Sequence, residues 1–298
     1  MINRILLIVT ICLSFILLFM SSRNTTFFNS KPNITIKNTN TNKIEKMSLE
    51  EYIIGVVAAE MPASFNEEAL KAQAVASRTY AVYKMQNSKT EYDVVTDVSN
   101  QSFITKEDMK DKWKDEFDKY YKKIKDAVNK TKNEIMMYED KVIEAYYFAM
   151  SNGFTEDVSL VFNEDREYLK SVKSVYENND LKNFEVVKKF SKEEVCSKLN
   201  IVCDNISFKN IKRSNTGRVN SLNINETVYK GTDFRKKLGL RSTDFYIEEK
   251  DGYFYITTKG YGHGVGMSQY GANGMAKEGY TYDEILKYFY KNIEIKSI

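Results

Sequence analysis

The stretch FYIEEKDGYFYITTKGYGHGVGMSQYGANGMAKEGYTYDEILKYFY, residues 245 to 290, carries three structural signals in succession. Phe245–Glu248 and Tyr253–Thr257 read as strands joined by the Asp251-Gly252 turn, an antiparallel hairpin. Asp283 to Tyr290 reads as a terminal helix. Between them, residues 260 to 279 hold seven of the 13 glycines and His263, the only histidine. Each glycine weakens a helix or strand by roughly 0.5–1 kcal/mol, so this run is expected to be a shaped loop. Its polar groups His263, Ser268, Gln269, Tyr270 and Asn273 are candidates to face a substrate; the alternative is a tight turn with incidental polar residues.

Working outward, Ile135–Tyr138 and Val142–Ala149 form a second expected hairpin around Glu139-Asp140-Lys141. Residues 106–132 predict one charged amphipathic helix with Trp113, Phe117, Tyr120, Tyr121, Ile124 and Val128 toward the core. Tyr92–Val98 reads as a strand. Two earlier helices open on capping boxes, Ser48 with Glu51 and Ser64 with Glu67. The first stops before Pro62, which leaves Glu60 in its last turn. The second runs from about Asn66 to Met85, with Ala69, Ala72, Ala76, Tyr80 and Tyr83 as a packing stripe. Helices interspersed with antiparallel hairpins, without a βαβ repeat, predict an α+β fold of one large domain or two lobes.

The N-terminus bears on location. Ile5 to Met20 is uncharged and almost wholly apolar, which predicts a transmembrane anchor over residues 1–22, with a signal peptide as the competing reading. Residues 23–46 read as a polar linker and first strand, and the rest of the chain is expected outside the cytoplasm. Forty-four basic and 41 acidic side chains are near balance, so no nucleic-acid footprint is expected. Cys196 and Cys203 could form a disulfide or remain free thiols. With one histidine and no C-x-x-C pair, few zinc ligands are available.

Glu60 is the candidate acid. The free carbonyls of a helix C-terminus disfavour a carboxylate, and the apolar neighbours Val56, Val57, Ala58, Ala59 and Met61 predict desolvation. Both push the pKa up, toward what a general acid needs. Lys71 and Arg78, seven apart on one helical face, could grip a substrate or neutralise Glu51, Glu60 or Asp97. The strand ending at Ala149 could present Tyr147 and Ser151 at a cleft edge. A Ser-His-Asp hydrolase is disfavoured because neither Ser151 nor Ser268 sits in a G-x-S-x-G elbow.

Two long motifs carry a family resemblance. The run from Leu49 through Ala59-Glu60-Met61-Pro62 to Ala81 resembles the stage II sporulation protein D family, which is related to amidase enhancers. Gly262-His263-Gly264-Val265-Gly266-Met267-Ser268-Gln269-Tyr270-Gly271-Ala272 resembles the same family's C-terminal signature, and Ser151, Gly153, Thr155, Glu156 and Tyr168–Val172 its middle. The resemblance implies a domain over residues 47–298, with 106–132 and 180–250 as elaborations, built around a glycan-binding cleft. It implies a membrane-anchored lytic transglycosylase acting on peptidoglycan strands without stem peptides during engulfment, with Glu60 as acid/base. Lys71, Arg78, Tyr147, Ser151, His263 and Gln269 would line the groove or orient Glu60. Implied partners are stage II sporulation proteins P and M. Where some members carry a C-x-D-x-x-H-C zinc segment, this chain has Val95–Gln101 without cysteine or histidine, so no metal or other cofactor is expected. The strand end Phe148–Gly153 also lacks the His-Ser-x-Ser-Gly-Gly-like run of many relatives.

Overall fold

The computed structural model describes residues 32–177 and 183–298. Two hydrophobic cores divide them. The larger, the body, gathers residues from Ile34 to Leu169 together with Val265 to Ile293. The smaller lies within the intervening segment and is built from Phe190, Val195, Leu222, Phe234, Phe245, Phe254 and Ile256 among others.

The body opens with the antiparallel pair β1 (Asn33–Lys37) and β2 (Ile44–Ser48), then α1 (Leu49–Glu60) and α2 (Glu67–Asn87). Ser48 caps α1 by accepting from the Glu51 N–H. The cap of α2 is Asn66 rather than the expected Ser64, because the Asn66 carboxamide accepts from the Glu68 N–H. Of the Tyr92–Val98 strand only β3 (Val94–Val95) forms, paired parallel to β1.

The single helix expected over 106–132 is corrected. It is two helices, α3 (Lys106–Trp113) and α4 (Phe117–Lys130), joined by a 3₁₀ turn with Lys114 at φ +49°. Ile124 and Val128 reach the core, while Trp113, Phe117, Tyr120 and Tyr121 stay half-buried. The hairpin β4 (Glu134–Tyr138)/β5 (Lys141–Val142) turns through Glu139 and Asp140 at positive φ, and β14 (Glu294–Ser297) adds to its other edge. Strand β6 (Tyr147–Phe148) pairs parallel with β13 (Met267–Ser268), which joins the two motif regions. A short helix, α5 (Val158–Phe162), follows β6.

The second lobe runs from β7 (Glu185–Ser191) to β12 (Tyr253–Lys259). It contains α6 (Lys192–Leu199), the sheet β8 (Phe208–Arg213), β9 (Val219–Ile224) and β10 (Thr227–Lys230), α7 (Gly231–Leu238) and β11 (Phe245–Lys250). The β11–β12 hairpin turns at Asp251 and Gly252, both at positive φ, as its sequence predicts. Cys196 and Cys203 form a disulfide.

The glycine-rich run departs from expectation in its second half. Residues 260–266 are an irregular loop, but Gln269–Lys277 is a helix, α8, capped by Ser268 and followed by α9 (Tyr282–Phe289). Its glycines serve packing rather than turning. A Cβ on Gly271 would lie 2.5 Å from Ser174 Oγ, and one on Gly274 would collide with the Tyr176 carbonyl. Contact with the 174–177 segment outweighs the propensity cost of glycine in a helix.

The expected fold with an N-terminal transmembrane helix is also corrected. The described residues form an α+β fold in which no helix is long and apolar enough to cross a membrane. The longest, α2, carries Glu67, Glu68, Lys71, Arg78 and Lys84. The apolar run Ile5–Met20 falls outside the described residues.

Candidate active site

Glu60 ends α1 where the chain turns into Met61-Pro62. A cleft of about 410 Å³ opens there, lined by Glu60, Pro62, Ser64, Lys112, Trp113 and Tyr120 among others. The aromatic wall comes from the α3–α4 elaboration, with Trp113 and Tyr120 packed edge to face at 5.8 Å. Two lysines of that elaboration tie it to the segment around Glu60. Lys112 Nζ donates to the Ala58 carbonyl at 2.9 Å, and Lys123 Nζ donates to the Phe65 carbonyl.

The Glu60 pKa lies above the ordinary glutamate range, with burial as the main cause. Hydrogen bonds from Ser102 and Gln269 oppose the shift without cancelling it. The Ser102 N–H donates to Oε1 at 2.8 Å. Because Lys112 covers a last-turn carbonyl of α1, the helix end is partly neutralised, and desolvation does most of what the sequence assigned jointly to both effects.

A chain of uncharged polar groups stands behind Glu60. The Tyr52 hydroxyl donates to Gln101 Oε1 at 3.2 Å, and Gln101 Nε2 donates to the Tyr147 hydroxyl at 2.9 Å and to the Ser77 carbonyl at 3.3 Å. Gln73 Nε2 donates to Ser77 Oγ at 3.0 Å, and Gln269 Nε2 donates to Gln73 Oε1 at 3.4 Å. Burial, and then the nearby Glu60 charge, hold the Tyr147 phenol well above its usual range, so it stays a neutral hydroxyl. Parallel pairing of β6 and β13 sets Tyr147 and Gln269 beside a glutamate about 200 residues away in sequence from the latter.

Of the residues singled out from sequence, Glu60, Tyr147 and Gln269 come together here. Four do not. Arg78 is fully buried and forks onto Glu50, Nε to Oε1 at 2.9 Å and Nη2 to Oε2 at 2.7 Å, with further bonds to the Glu134 and Val128 carbonyls. It therefore holds α2 to its neighbours and leaves the Glu60 proton undisturbed, which corrects its expected place in the groove. Lys71 pairs with Glu68 at 2.6 Å near the start of α2. Ser151 is fully buried, its N–H donating to Glu177 at 2.8 Å and its Oγ accepting from the Gly153 N–H. His263 packs on the other side of β6, among Tyr146, Phe148 and Phe162. Burial first, and the charges of Arg235 and Arg218 after it, press its pKa down to about 3, so the ring is neutral.

Sequence reasoning missed Gln73, Ser77, Gln101 and Ser102. Gln73 and Ser77, four apart on the alanine-rich face of α2, were the available signal: two polar groups on a packing surface need partners. Trp113 and Tyr120 were assigned to the core, because amphipathic spacing alone does not distinguish a core stripe from a cleft wall.

Comparison with known proteins places the chain in a family. A family model described as Stage II sporulation protein matches residues 37–138, and one described as a domain of unknown function matches 107–266. Stage II sporulation protein D of Bacillus subtilis (strain 168) is 42% identical over 89% of this chain and 79% of its own length. That of Bacillus amyloliquefaciens is 40% identical over the same shares. The amidase enhancer of Bacillus subtilis (strain 168) is 27% identical over 82% of this chain and 40% of its own length.

Proposed function

This chain belongs to the stage II sporulation protein D family, and we propose that it is a lytic transglycosylase that cleaves peptidoglycan glycan strands during sporulation. The observation that carries this is one desolvated carboxyl group, Glu60, at the edge of an aromatic-walled cleft. Hydrolysis of a glycosidic bond uses two carboxyl groups, one as acid and one as nucleophile or base. Among the described residues no second carboxylate contributes to the Glu60 shift. Asp97 is half-buried and accepts from the Ser99 N–H.

One carboxyl group suffices when the nucleophile is carried by the substrate. Glu60 protonates the glycosidic oxygen as the bond to the anomeric carbon breaks. The 6-hydroxyl of the same N-acetylmuramic acid then attacks that carbon and returns its proton to Glu60. The products are a new 4-hydroxyl end and a 1,6-anhydro end, and no water is consumed. The intramolecular attack supplies the positioning that a bound water would otherwise require. Tyr147 and Gln269, neutral and anchored through Gln101 and Gln73, orient the carboxyl group without ionising it.

The Cys196–Cys203 disulfide supports action outside the cytoplasm, where such bonds persist. Strands already stripped of stem peptides, and stage II sporulation proteins P and M, are the proposed substrate and partners. The amidase-enhancer relative favours a second reading, a glycan-binding scaffold that activates an amidase without cleaving. Mass spectrometry of peptide-free glycan decides between them. Anhydro ends that vanish in Glu60→Gln support the enzyme; reducing ends, or no cleavage, reject it.

A further inference from the structure

The Ser102 amide that bonds to Glu60 belongs to no helix or strand. It lies in the irregular stretch between β3 and α3, where no ladder fixes it. A backbone donor that serves a reacting carboxyl group has to be held to within about 0.5 Å, so neighbouring groups must do the holding.

Anchors flank it on both sides. Downstream, Phe103 stacks on Tyr52 at 5.5 Å, and the Ile104 N–H reaches the Gly55 carbonyl at 3.4 Å. Gly55 permits this approach to α1, since a Cβ there would lie 2.3 Å from the Phe103 ring and 2.8 Å from the Ile104 carbonyl oxygen. Immediately upstream, the Gln101 carboxamide is shared among Tyr52 of α1, Ser77 of α2 and Tyr147 of β6. Before it the chain runs out to the surface, where Val98 is 90% exposed. Asn100 brings it back. Its Oδ1 accepts from the Val95 N–H of β3 at 2.8 Å, and its Nδ2 donates to the Tyr80 hydroxyl of α2 at 3.3 Å and to the Ser99 carbonyl at 3.1 Å. Its own N–H donates to the Asp97 carbonyl at 3.1 Å, which closes the turn.

We propose that Asn100 is a positioning residue for the acid: by tying this turn to β3 and α2 it holds the Ser102 N–H on Glu60 Oε1, although it bonds to neither residue. The inference rests on Glu60 as the acid of the proposed reaction and deepens that reading. With Oε1 engaged as an acceptor, Oε2 is the oxygen that carries the proton. A donor aimed at a carboxyl group strengthens when the group ionises, so the Ser102 amide stabilises Glu60 as its proton leaves for the glycosidic oxygen. Burial raises the Glu60 pKa, and the Ser102 N–H is foremost among the hydrogen bonds that hold it back. Loosening the turn therefore raises it further. The other titratable groups facing the acid are Tyr52 on α1 and Tyr147 on β6, with Lys112 of α3 and Tyr120 of α4 in the cleft wall. Asn100 bonds to none of them.

Carbon-13 in the glutamate carboxyl groups of the full chain reports the Glu60 titration by NMR, with Glu60→Gln assigning its signal. Asn100→Ala should move that midpoint up by about half to one pH unit. Release of anhydro ends should follow it. The alkaline fall in kcat moves up by the same interval, plateau kcat drops about threefold to tenfold, and KM changes by less than about twofold. A merely structural lesion would lower activity at every pH and leave both midpoints alone. Tyr80→Phe, which removes the acceptor of Asn100 Nδ2, should shift them the same way by about half as much, and it carries the test if Asn100→Ala does not fold. In the parent chain the Ser102 amide proton should titrate with the Glu60 carbon, and that coupling should weaken in both variants. Midpoints unmoved or lowered in the folded variants, checked by circular dichroism, overturn the proposal. If the parent releases no anhydro ends yet the carboxyl midpoint shifts, the transglycosylase reading fails and the positioning role stands. If anhydro ends vanish in Glu60→Gln while neither variant shifts the midpoint, the enzyme stands and the positioning role fails.

Discussion

Glu60 and Glu177 invite comparison, because burial pushes both carboxyl groups above the ordinary glutamate range. Their surroundings differ. Glu177 is enclosed by donors from three segments: the Ser151 N–H at 2.8 Å, Ser174 Oγ at 2.9 Å and Ser268 Oγ at 2.5 Å. It staples the turn after β6 to the cap of α8. Glu60 accepts a backbone bond from Ser102 and borders an open cleft. A raised pKa therefore marks desolvation; access to a sugar-sized space separates a candidate proton donor from a structural staple.

That distinction can be broken most directly by exchanging the two roles. Glu60→Gln should lower release of anhydro ends by about 10³-fold or more while the unfolding midpoint in urea stays near that of the parent chain. Glu177→Leu should do the reverse, costing about 2–4 kcal/mol in urea unfolding because three buried donors lose their acceptor. If Glu177→Leu is as stable as the parent, the staple does not hold the two motifs together.

The pH dependences differ in kind. As the proposed acid Glu60 acts protonated, so the rate should fall as pH rises through a pKa above the ordinary 4.5. For Glu177 the raised folded value means that its contribution to stability is complete below the unfolded pKa and is lost as pH rises through the folded one. Glu177→Gln should flatten that decline, which unfolding curves across pH would reveal. Smaller effects belong to the supporting groups. Tyr147→Phe, which removes the hydroxyl that accepts from Gln101, should lower kcat about tenfold with KM little changed. Trp113→Ala should mainly raise KM, by a factor of about five to ten.

Much of this was legible in the sequence. The Asp251-Gly252 and Glu139-Asp140 turns, the end of α1 at Glu60 and the terminal helix are local events, governed by turn chemistry, proline and apolar spacing within a few residues. The partner of Arg78 was not legible, because Glu50, Glu51, Glu60 and Asp97 all offered suitable charge and only packing chose Glu50. Nor was the break at Lys114, which no proline or glycine announces.

By itself the sequence determined the α+β class and the family and pointed to Glu60 as the candidate acid, since these reside in contiguous motifs and short-range periodicity. The tertiary structure alone decided which motif residues serve Glu60. Pairing of β6 with β13 delivers Tyr147 and Gln269 to it, while the alternation of side chains along that same segment sends Tyr146 and Phe148 toward His263. Neighbours in a motif are separated by the pleat of a strand, and distant residues are joined by its hydrogen bonds.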